Sequence, residues 1–209
     1  MPLQNRVLPT GEIVADPARG TLTGNRGCLH DEQRRLGRAR WTGKAWISCA
    51  LQYKGWQRQV MAPRRWTELF FLDEAVALAA GHRPCALCRR AAYEAFRAAW
   101  GAALGPARAP QMDAALHGTR VAAGRTQRRF EEHAGNLPSG SFILWQGLPH
   151  LLWGAQAMAF APAGYTAALP RPVSVVTVLT PAPMVAVLMA GYQLDMGVFM
   201  PPVTLAGAS

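Results

Sequence analysis

The chain has 209 residues, half of them apolar, and it carries a formal net charge of +10. This composition excludes a disordered tail and supplies the core of one large domain or two small ones. Twenty of the 22 basic residues are arginine, a residue that grips phosphate with two hydrogen bonds and stacks on bases. A GC-rich genome also favours arginine over lysine, but it does not explain the excess of positive charge. The charge therefore predicts DNA, or else RNA, as the partner.

The positive charge is concentrated in the first part of the chain. Residues 1–129 contain 21 basic and nine acidic side chains, whereas residues 130–209 contain one basic and three acidic ones. We therefore expect the nucleic-acid surface within residues 1–129.

The first predicted elements form a β-hairpin within residues 20–54, where apolar and polar residues alternate and glycine-containing turns intervene. A short apolar run, ELFFL, follows. Asp73 is then the predicted N-cap of the helix EAVALAA, and Gly81 is its predicted stop.

Further helices are predicted downstream. One begins near Arg89 and has aromatic residues at helical spacing, namely Tyr93, Phe96 and Trp100. After a linker, QMDAALHGTRV is predicted as a third helix and RTQRRFEEHA as a fourth. From Ser141 onward the pattern is typical of strands, with one more helix in TPAPMVAVLMAG.

These elements predict an α+β protein in three parts. Residues 1–104 form a zinc-stapled α/β module with a basic surface, residues 105–140 a helical segment with an Asp/His/Arg cluster, and residues 141–209 a small β-rich part. The most apolar run, residues 173–192, is interrupted by Pro181 and Pro183, so it predicts a strand and a helix rather than a membrane span. The first residues lack the apolar segment of a signal peptide, so we expect a cytoplasmic protein with no membrane partner.

The four cysteines predict a metal site. Cys85 and Cys88 are two residues apart, as in a zinc knuckle, where a tight turn directs both sulfurs at one ion. Cys28 and Cys49, on the two arms of the hairpin, complete a predicted tetrahedral Zn²⁺ site. In the alternatives that remain open, His30 or His82 replaces one of them, or Cys28 and Cys49 are ordinary buried cysteines.

The stretch FFLDEAVALAAGHRPCALCRR, residues 70–90, resembles the second half of the Ada-type metal-binding domain, the zinc module of bacterial adaptive-response alkyl-DNA repair proteins. The shared features are the alanine-rich helix, the glycine, and Arg-Pro-Cys-x-x-Cys followed by a basic residue. By this resemblance Cys85 and Cys88 are zinc ligands, and the neighbouring arginines face DNA phosphates. The family's other two ligands form a Cys-x-x-x-Cys pair that this chain lacks. The resemblance therefore implies DNA-binding architecture and not methyl transfer.

A second constellation lies in the third predicted helix. Asp113 and His117 are four residues apart and share a helix face, with Arg120 one turn later. A carboxylate that orients a histidine beside arginines can activate water or stabilise positive charge on a sugar. Asp113 and His117 are therefore the predicted catalytic pair. The alternative is that Asp113 and His117 form only a contact on the helix surface, which would stabilise the helix by about 0.2–0.5 kcal/mol.

The predicted nucleic-acid ligands are arginines of the basic region: Arg26, Arg34, Arg35, Arg83, Arg89, Arg90, Arg120, Arg125 and Arg128. Four aromatic residues interleave with the basic residues Arg40, Lys44, Lys54 and Arg58. These aromatic residues suit either base stacking or the exposed face of an ordinary sheet. They are Trp41, Trp46, Tyr53 and Trp56.

Together these features predict a zinc-containing DNA-binding protein that acts on damaged or modified DNA. If it is an enzyme, the expected reaction is excision of an altered base, a DNA glycosylase-type hydrolysis in repair or in defence against phage. The alternative is a non-enzymatic zinc module that binds DNA or RNA and recruits or regulates.

Overall fold

The structure is a computed structural model that describes residues 1–56 and 59–197. Within them the chain forms two six-stranded sheets and four α-helices, an α+β fold with a mixed N-terminal sheet and an antiparallel C-terminal sheet. The fold class predicted from the sequence is confirmed. Arg58 and the last twelve residues of the predicted C-terminal part lie outside the described residues.

The N-terminal sheet has the strand order β2-β1-β5-β3-β4-β6. The predicted hairpin is confirmed as the antiparallel pair β3 and β4, and the apolar run ELFFL contains β5. The sequence did not predict β1 and β2. The strands are β1 (Gln4–Val7), β2 (Ile13–Ala15), β3 (Leu22–Asn25), β4 (Ile47–Ala50), β5 (Leu69–Phe71) and β6 (Arg83–Pro84).

The C-terminal sheet is antiparallel throughout and has the order β11-β10-β9-β8-β12-β7. The strand pattern predicted from Ser141 onward is confirmed. The strands are β7 (Phe130–His133), β8 (Phe142–Trp145), β9 (Leu148–Trp153), β10 (Gln156–Ala161), β11 (Gly164–Pro170) and β12 (Val175–Val178).

The helices are α1 (Glu74–Ala79), α2 (Arg90–Leu104), α3 (Ala109–Arg120) and α4 (Ala182–Met189). Asp73 caps α1 as predicted, since its carboxylate accepts a hydrogen bond from the Val76 N–H at 2.9 Å. Gly81 follows the end of α1 with φ +81°, a left-handed conformation that glycine adopts without strain. The predicted aromatic face of α2 is buried.

The prediction of a helix in RTQRRFEEHA is wrong. Gly124 and Arg125 have φ values of +71° and +63°, which end helical structure at this point. Residues Phe130–His133 instead form β7, which pairs with β12 along its full length. β7 is the edge strand of the C-terminal sheet and pairs on one side, with β12, and this tertiary pairing overrides the local helix propensity of the segment.

Helix α1 is completely buried, and it ties the two sheets together. One hydrophobic cluster joins side chains of the N-terminal sheet, such as Val7 and Phe71, and of α1 to Phe142, Leu151 and Met158 of the C-terminal sheet. The described residues form no helix with the length and hydrophobicity needed to cross a bilayer.

Candidate metal centre and basic cleft

Cys49, Cys85 and Cys88 converge on one point of the N-terminal sheet, with their sulfur atoms within 4.8 Å of one another. The convergence follows from local pairing. Strand β6 runs parallel to β4, and the Cys85 N–H donates to the Ser48 carbonyl at 2.9 Å, so Cys85 lies beside Cys49. The turn after Cys85 then returns Cys88 to the same place, and the Leu87 N–H donates to the Cys85 sulfur at 3.4 Å.

The protonation of these thiols suits a divalent cation. Hydrogen bonds from the Cys49 thiol and from backbone N–H groups lower the pKa of Cys85 to about 5. The same contact with Cys85, together with burial, raises the pKa of Cys49, and burial raises that of Cys88. Three crowded sulfurs can become thiolates together only beside a positive ion. Zn²⁺ fits this set because it binds thiolates tetrahedrally, so these cysteines could hold a metal ion such as zinc.

Cys28, predicted as the fourth ligand, lies outside this group. Cys49 pairs across the hairpin with Thr23, and Cys28 follows Thr23 by five residues, up to about 16 Å of extended chain. Its side chain is exposed, and its sulfur lies 3.9 Å from the His30 carbonyl oxygen. The structure therefore brings together three of the four predicted ligands.

The two histidines considered as substitute ligands are used elsewhere. His30 contacts the Thr67 hydroxyl at 2.7 Å through Nδ1 and the Ala62 carbonyl at 3.2 Å through Nε2. The Nε2 atom of the fully buried His82 accepts a hydrogen bond from Arg26 Nε at 3.2 Å. Burial, with Arg26 and Arg120 nearby, lowers the pKa of His82 well below its ordinary value, so this ring is neutral.

The three cysteines open into a cleft of about 330 Å³, here called the aromatic cleft. Four aromatic side chains line it, and polar groups occur at Thr23, Asn25 and Glu68. Glu68 is buried, and its Oε2 accepts a hydrogen bond from the Met61 N–H at 2.6 Å. The aromatic residues are Tyr53, Trp56, Trp66 and Phe70. Sequence patterns did not single out Glu68 as a site residue, because most of the residues that share the cleft with it are remote in sequence.

A second cleft, of about 440 Å³, is here called the basic cleft. Trp41 and Trp46 contribute to its wall, and Glu12 is an acidic residue on it. Five arginines line it, namely Arg26, Arg40, Arg120, Arg125 and Arg129. Arg26, Arg120 and Arg125 were predicted as nucleic-acid ligands. Arg40 and Arg129 were not, although each stands in a run of basic residues.

Arg26 and Arg120 are the most unusual members of the basic cleft. Their side chains are 3% and 2% exposed, and their guanidinium carbons lie 4.2 Å and 4.0 Å from the ring centroid of Trp46. Arg26 Nη1 donates to the Gly11 carbonyl at 3.0 Å, while Arg120 Nη1 and Nη2 donate to the carbonyls of Gly81 and Lys44. In the described part of the chain neither forms an ion pair with a carboxylate.

Two positive charges are thus buried close together, and among the described residues neither has a carboxylate within ion-pair distance. Burial lowers the pKa of both guanidinium groups, and Arg120 lowers that of Arg26 further, while Asp113 offsets only part of the effect of burial on Arg120. Arg26 Nη2 and Arg120 Nε are buried and have no hydrogen-bond partner among the described residues. Such a pair is costly unless an anion compensates it, so this cleft has the electrostatics of an anion site.

The predicted catalytic pair is arranged differently from the expectation. Both carboxylate oxygens of Asp113 accept hydrogen bonds from Arg83, each at 2.8 Å, and none joins Asp113 to His117 in the described residues. His117 instead contacts the rings of Trp41 and Trp46, with centroids 5.6 Å and 6.1 Å away. Burial and the nearby Arg120 and Lys44 lower the pKa of His117. His117 is therefore next to the basic cleft, while Asp113 has a buried structural partner.

The remaining predicted DNA ligands divide into buried and exposed residues. Arg83 is buried with Asp113, and the Arg89 side chain, 7% exposed, forms an ion pair of 2.8 Å with Glu74, so both guanidinium groups are largely covered. Arg90 is exposed and pairs with Glu94. Three others are exposed away from the lining of the basic cleft, namely Arg34, Arg35 and Arg128.

Comparisons with models of protein families, with curated proteins and with solved structures find no match to this chain. The Ada-type resemblance of residues 70–90 accordingly stays a prediction. The two clefts and the three-cysteine group are the features of the chain that indicate its function.

Proposed function

We propose that this chain is a zinc-containing DNA-binding protein that acts on damaged or modified DNA and grips the phosphate backbone in the basic cleft. The observation that carries the proposal is the pair Arg26 and Arg120, which are buried beside Trp46 and form no ion pair with any carboxylate that the structure describes. A phosphate in the cleft would supply the missing negative charge. Arginine suits this role because its planar group binds phosphate oxygens in pairs.

The surroundings of the pair support a polyanion rather than a single small anion. Arg125 and Arg129 are exposed at the same cleft, so they extend the positive surface beyond the buried pair. The net charge of +10 favours association with nucleic acid in general. Backbone contacts of this type bind DNA without reading its sequence.

The finer part of the proposal is action on an altered base, with base excision as the reaction. Enzymes that excise bases extrude the target nucleotide and stack it between aromatic side chains. The aromatic cleft supports this step, since its volume of about 330 Å³ and its four aromatic residues suit a planar ring. The alternative is a reader of DNA or RNA that holds such a base without cleaving it.

The first experiment measures the affinity for a DNA duplex over a series of salt concentrations. The double variant Arg125→Gln/Arg129→Gln should lower the slope of log affinity against log salt by roughly 0.9 for each lost phosphate contact. The control is Arg34→Gln/Arg35→Gln, which removes the same charge from exposed positions outside the cleft. A larger change in the control than in the cleft variant would place the DNA elsewhere and overturn the proposal.

The second experiment distinguishes a base-excising enzyme from a non-enzymatic reader of modified DNA. Duplexes with single alkylated, oxidised or deaminated bases are incubated with the full chain, and abasic sites are detected as strand breaks after alkali. Release of one base supports excision. Tight binding of a modified duplex without any abasic site favours the non-enzymatic reader, and the same binding series on RNA shows which nucleic acid is preferred.

A further inference from the structure

The three-cysteine group differs from a structural zinc site in the number of ligands that the protein supplies. Structural zinc sites are closed by four protein ligands, whereas sites that bind substrates retain three and leave the fourth position open. Cys49, Cys85 and Cys88 form a group of three, and no fourth cysteine, histidine or carboxylate joins it within the described residues. Cys28, the remaining cysteine, is exposed elsewhere.

The direction of the open position follows from the cleft that the three ligands share. All three cysteines line the aromatic cleft, whereas only Cys88 also borders a second pocket, beside Arg89. A metal held by the three sulfurs would therefore have its fourth position towards the aromatic cleft.

The lining of the aromatic cleft indicates what would bind there. Tyr53 and Trp56 make an edge-to-face pair with centroids 5.5 Å apart, and both line the cleft with Trp66 and Phe70. Exposed apolar side chains continue the lining outward, with Leu51 48% and Leu87 57% exposed. A few polar groups among apolar walls are typical of sites for small organic ligands. A flat ring fits this lining, and zinc bound by thiolates accepts nitrogen or sulfur as a further ligand.

We propose that Cys49, Cys85 and Cys88 hold a metal ion whose fourth position is open to the aromatic cleft, and that a planar ring with a nitrogen or sulfur donor binds there. The donor atom coordinates the metal, and the ring contacts the aromatic side chains. This inference rests on the metal-binding part of the proposed function and does not depend on the basic cleft.

The test uses the full chain with Co²⁺ in place of Zn²⁺, because the visible d–d bands of cobalt report its ligands. Two probes are titrated into the cobalt protein: imidazole, and 4-phenylimidazole, which has the same donor and an added ring. Both should shift the d–d bands to a single end point. 4-Phenylimidazole should bind at least ~10-fold more tightly, since its phenyl ring would be buried against the aromatic side chains.

Two variants locate the site. Trp56→Ala should remove most of the preference for 4-phenylimidazole and leave the bands of the ligand-free cobalt protein unchanged. Trp145→Ala is the matched control, because Trp145 lies on β8 and not in the lining of the aromatic cleft. Cys28→Ser should leave the thiolate-to-cobalt charge-transfer band at full intensity, since the inference assigns three sulfurs to the metal.

The outcomes are distinguishable from those of the DNA experiments. Failure to bind cobalt at one ion per chain overturns both this inference and the metal part of the proposed function. Stoichiometric cobalt whose bands do not respond to either probe, or a charge-transfer band weakened by Cys28→Ser, overturns the open site alone. Displacement of 4-phenylimidazole by a single-stranded oligonucleotide identifies the ring ligand as a base in DNA. Binding without displacement identifies it as a free small molecule.

Discussion

Arg83 and Asp113 form a buried, two-pronged ion pair across 30 residues of sequence. Arg83 Nε lies 2.8 Å from Asp113 Oδ1, and Arg83 Nη2 lies 2.8 Å from Asp113 Oδ2. The pair fastens α3 to β6, the strand that immediately precedes Cys85. One contact thus connects the predicted catalytic helix to the metal-binding turn.

Asp113→Asn should lower the free energy of unfolding by about 3–5 kcal/mol, because it leaves the buried Arg83 charge without its partner. Urea denaturation followed by fluorescence measures this loss. Asp31→Asn is the control: it breaks the exposed Arg35–Asp31 pair, and its unfolding curve should match that of the wild type. A stable Asp113→Asn protein that binds modified DNA but releases no base would instead support the catalytic role predicted from the sequence.

The metal content of purified protein distinguishes a three-cysteine site from a four-cysteine site. We expect about one zinc per chain in the wild type and in Cys28→Ser, because the Cys28 sulfur is outside the group. Cys85→Ser should lose the zinc and melt at a lower temperature, since metal binding contributes folding energy. Elemental analysis beside thermal melting checks both. Loss of zinc in Cys28→Ser would show that this cysteine reaches the metal after all.

Asp73 should make the stability depend on pH below neutrality. Burial raises its pKa from 3.8 to about 6, despite the hydrogen bond at 2.6 Å from the Tyr165 hydroxyl. Between these two values the folded state binds more protons than the unfolded state, so this group's contribution to stability falls as pH rises from about 4 to 6.

The matched variant for this pH effect is Asp73→Asn, which retains an N-cap but does not titrate. From pH 7 to pH 4 the unfolding free energy of the wild type should rise by about 2.4 kcal/mol relative to that of the variant, given 1.36 kcal/mol per pKa unit. Urea denaturation at pH values from 4 to 7 measures it. A constant difference over this range would mean that Asp73 titrates near its ordinary pKa.

Gly81→Ala should weaken both the fold and the basic cleft. Gly81 has φ +81°, and an added Cβ would lie 2.5 Å from Arg120 Cδ, so the arginine would have to move. The left-handed backbone adds about 1–2 kcal/mol for alanine. We expect a lower melting temperature and weaker DNA binding.

Gly118→Ala is the control, because Gly118 lies in α3 with open space at its Cβ position, and alanine there should stabilise the helix. Equal DNA affinity in both variants would argue against a role for Arg120 in binding.

Local features of the fold were predictable from the sequence. The Asp73 cap, the Gly81 stop and the buried face of α2 depend on residues a few positions apart, and short-range patterns describe such interactions well. The β7 segment was not predictable in this way. Its helix-like composition is outweighed by pairing with β12, which is more than 40 residues further along the chain.

The candidate functional site shows the same division between features set by nearby residues and features set by tertiary contacts. The sequence by itself determined that the basic charge lies in the first 129 residues, and the two-residue spacing of Cys85 and Cys88 predicted correctly that they face one point. Only the tertiary structure decided that Cys49 joins them and Cys28 does not, through the pairing of β4 with β6. It also decided that Arg83 and Arg89 form ion pairs with Asp113 and Glu74, while Arg26 and Arg120 meet at Trp46 and form no ion pair within the described residues. The reason is that an arginine's role depends on which partner the fold brings within about 4 Å, and those partners are remote in sequence.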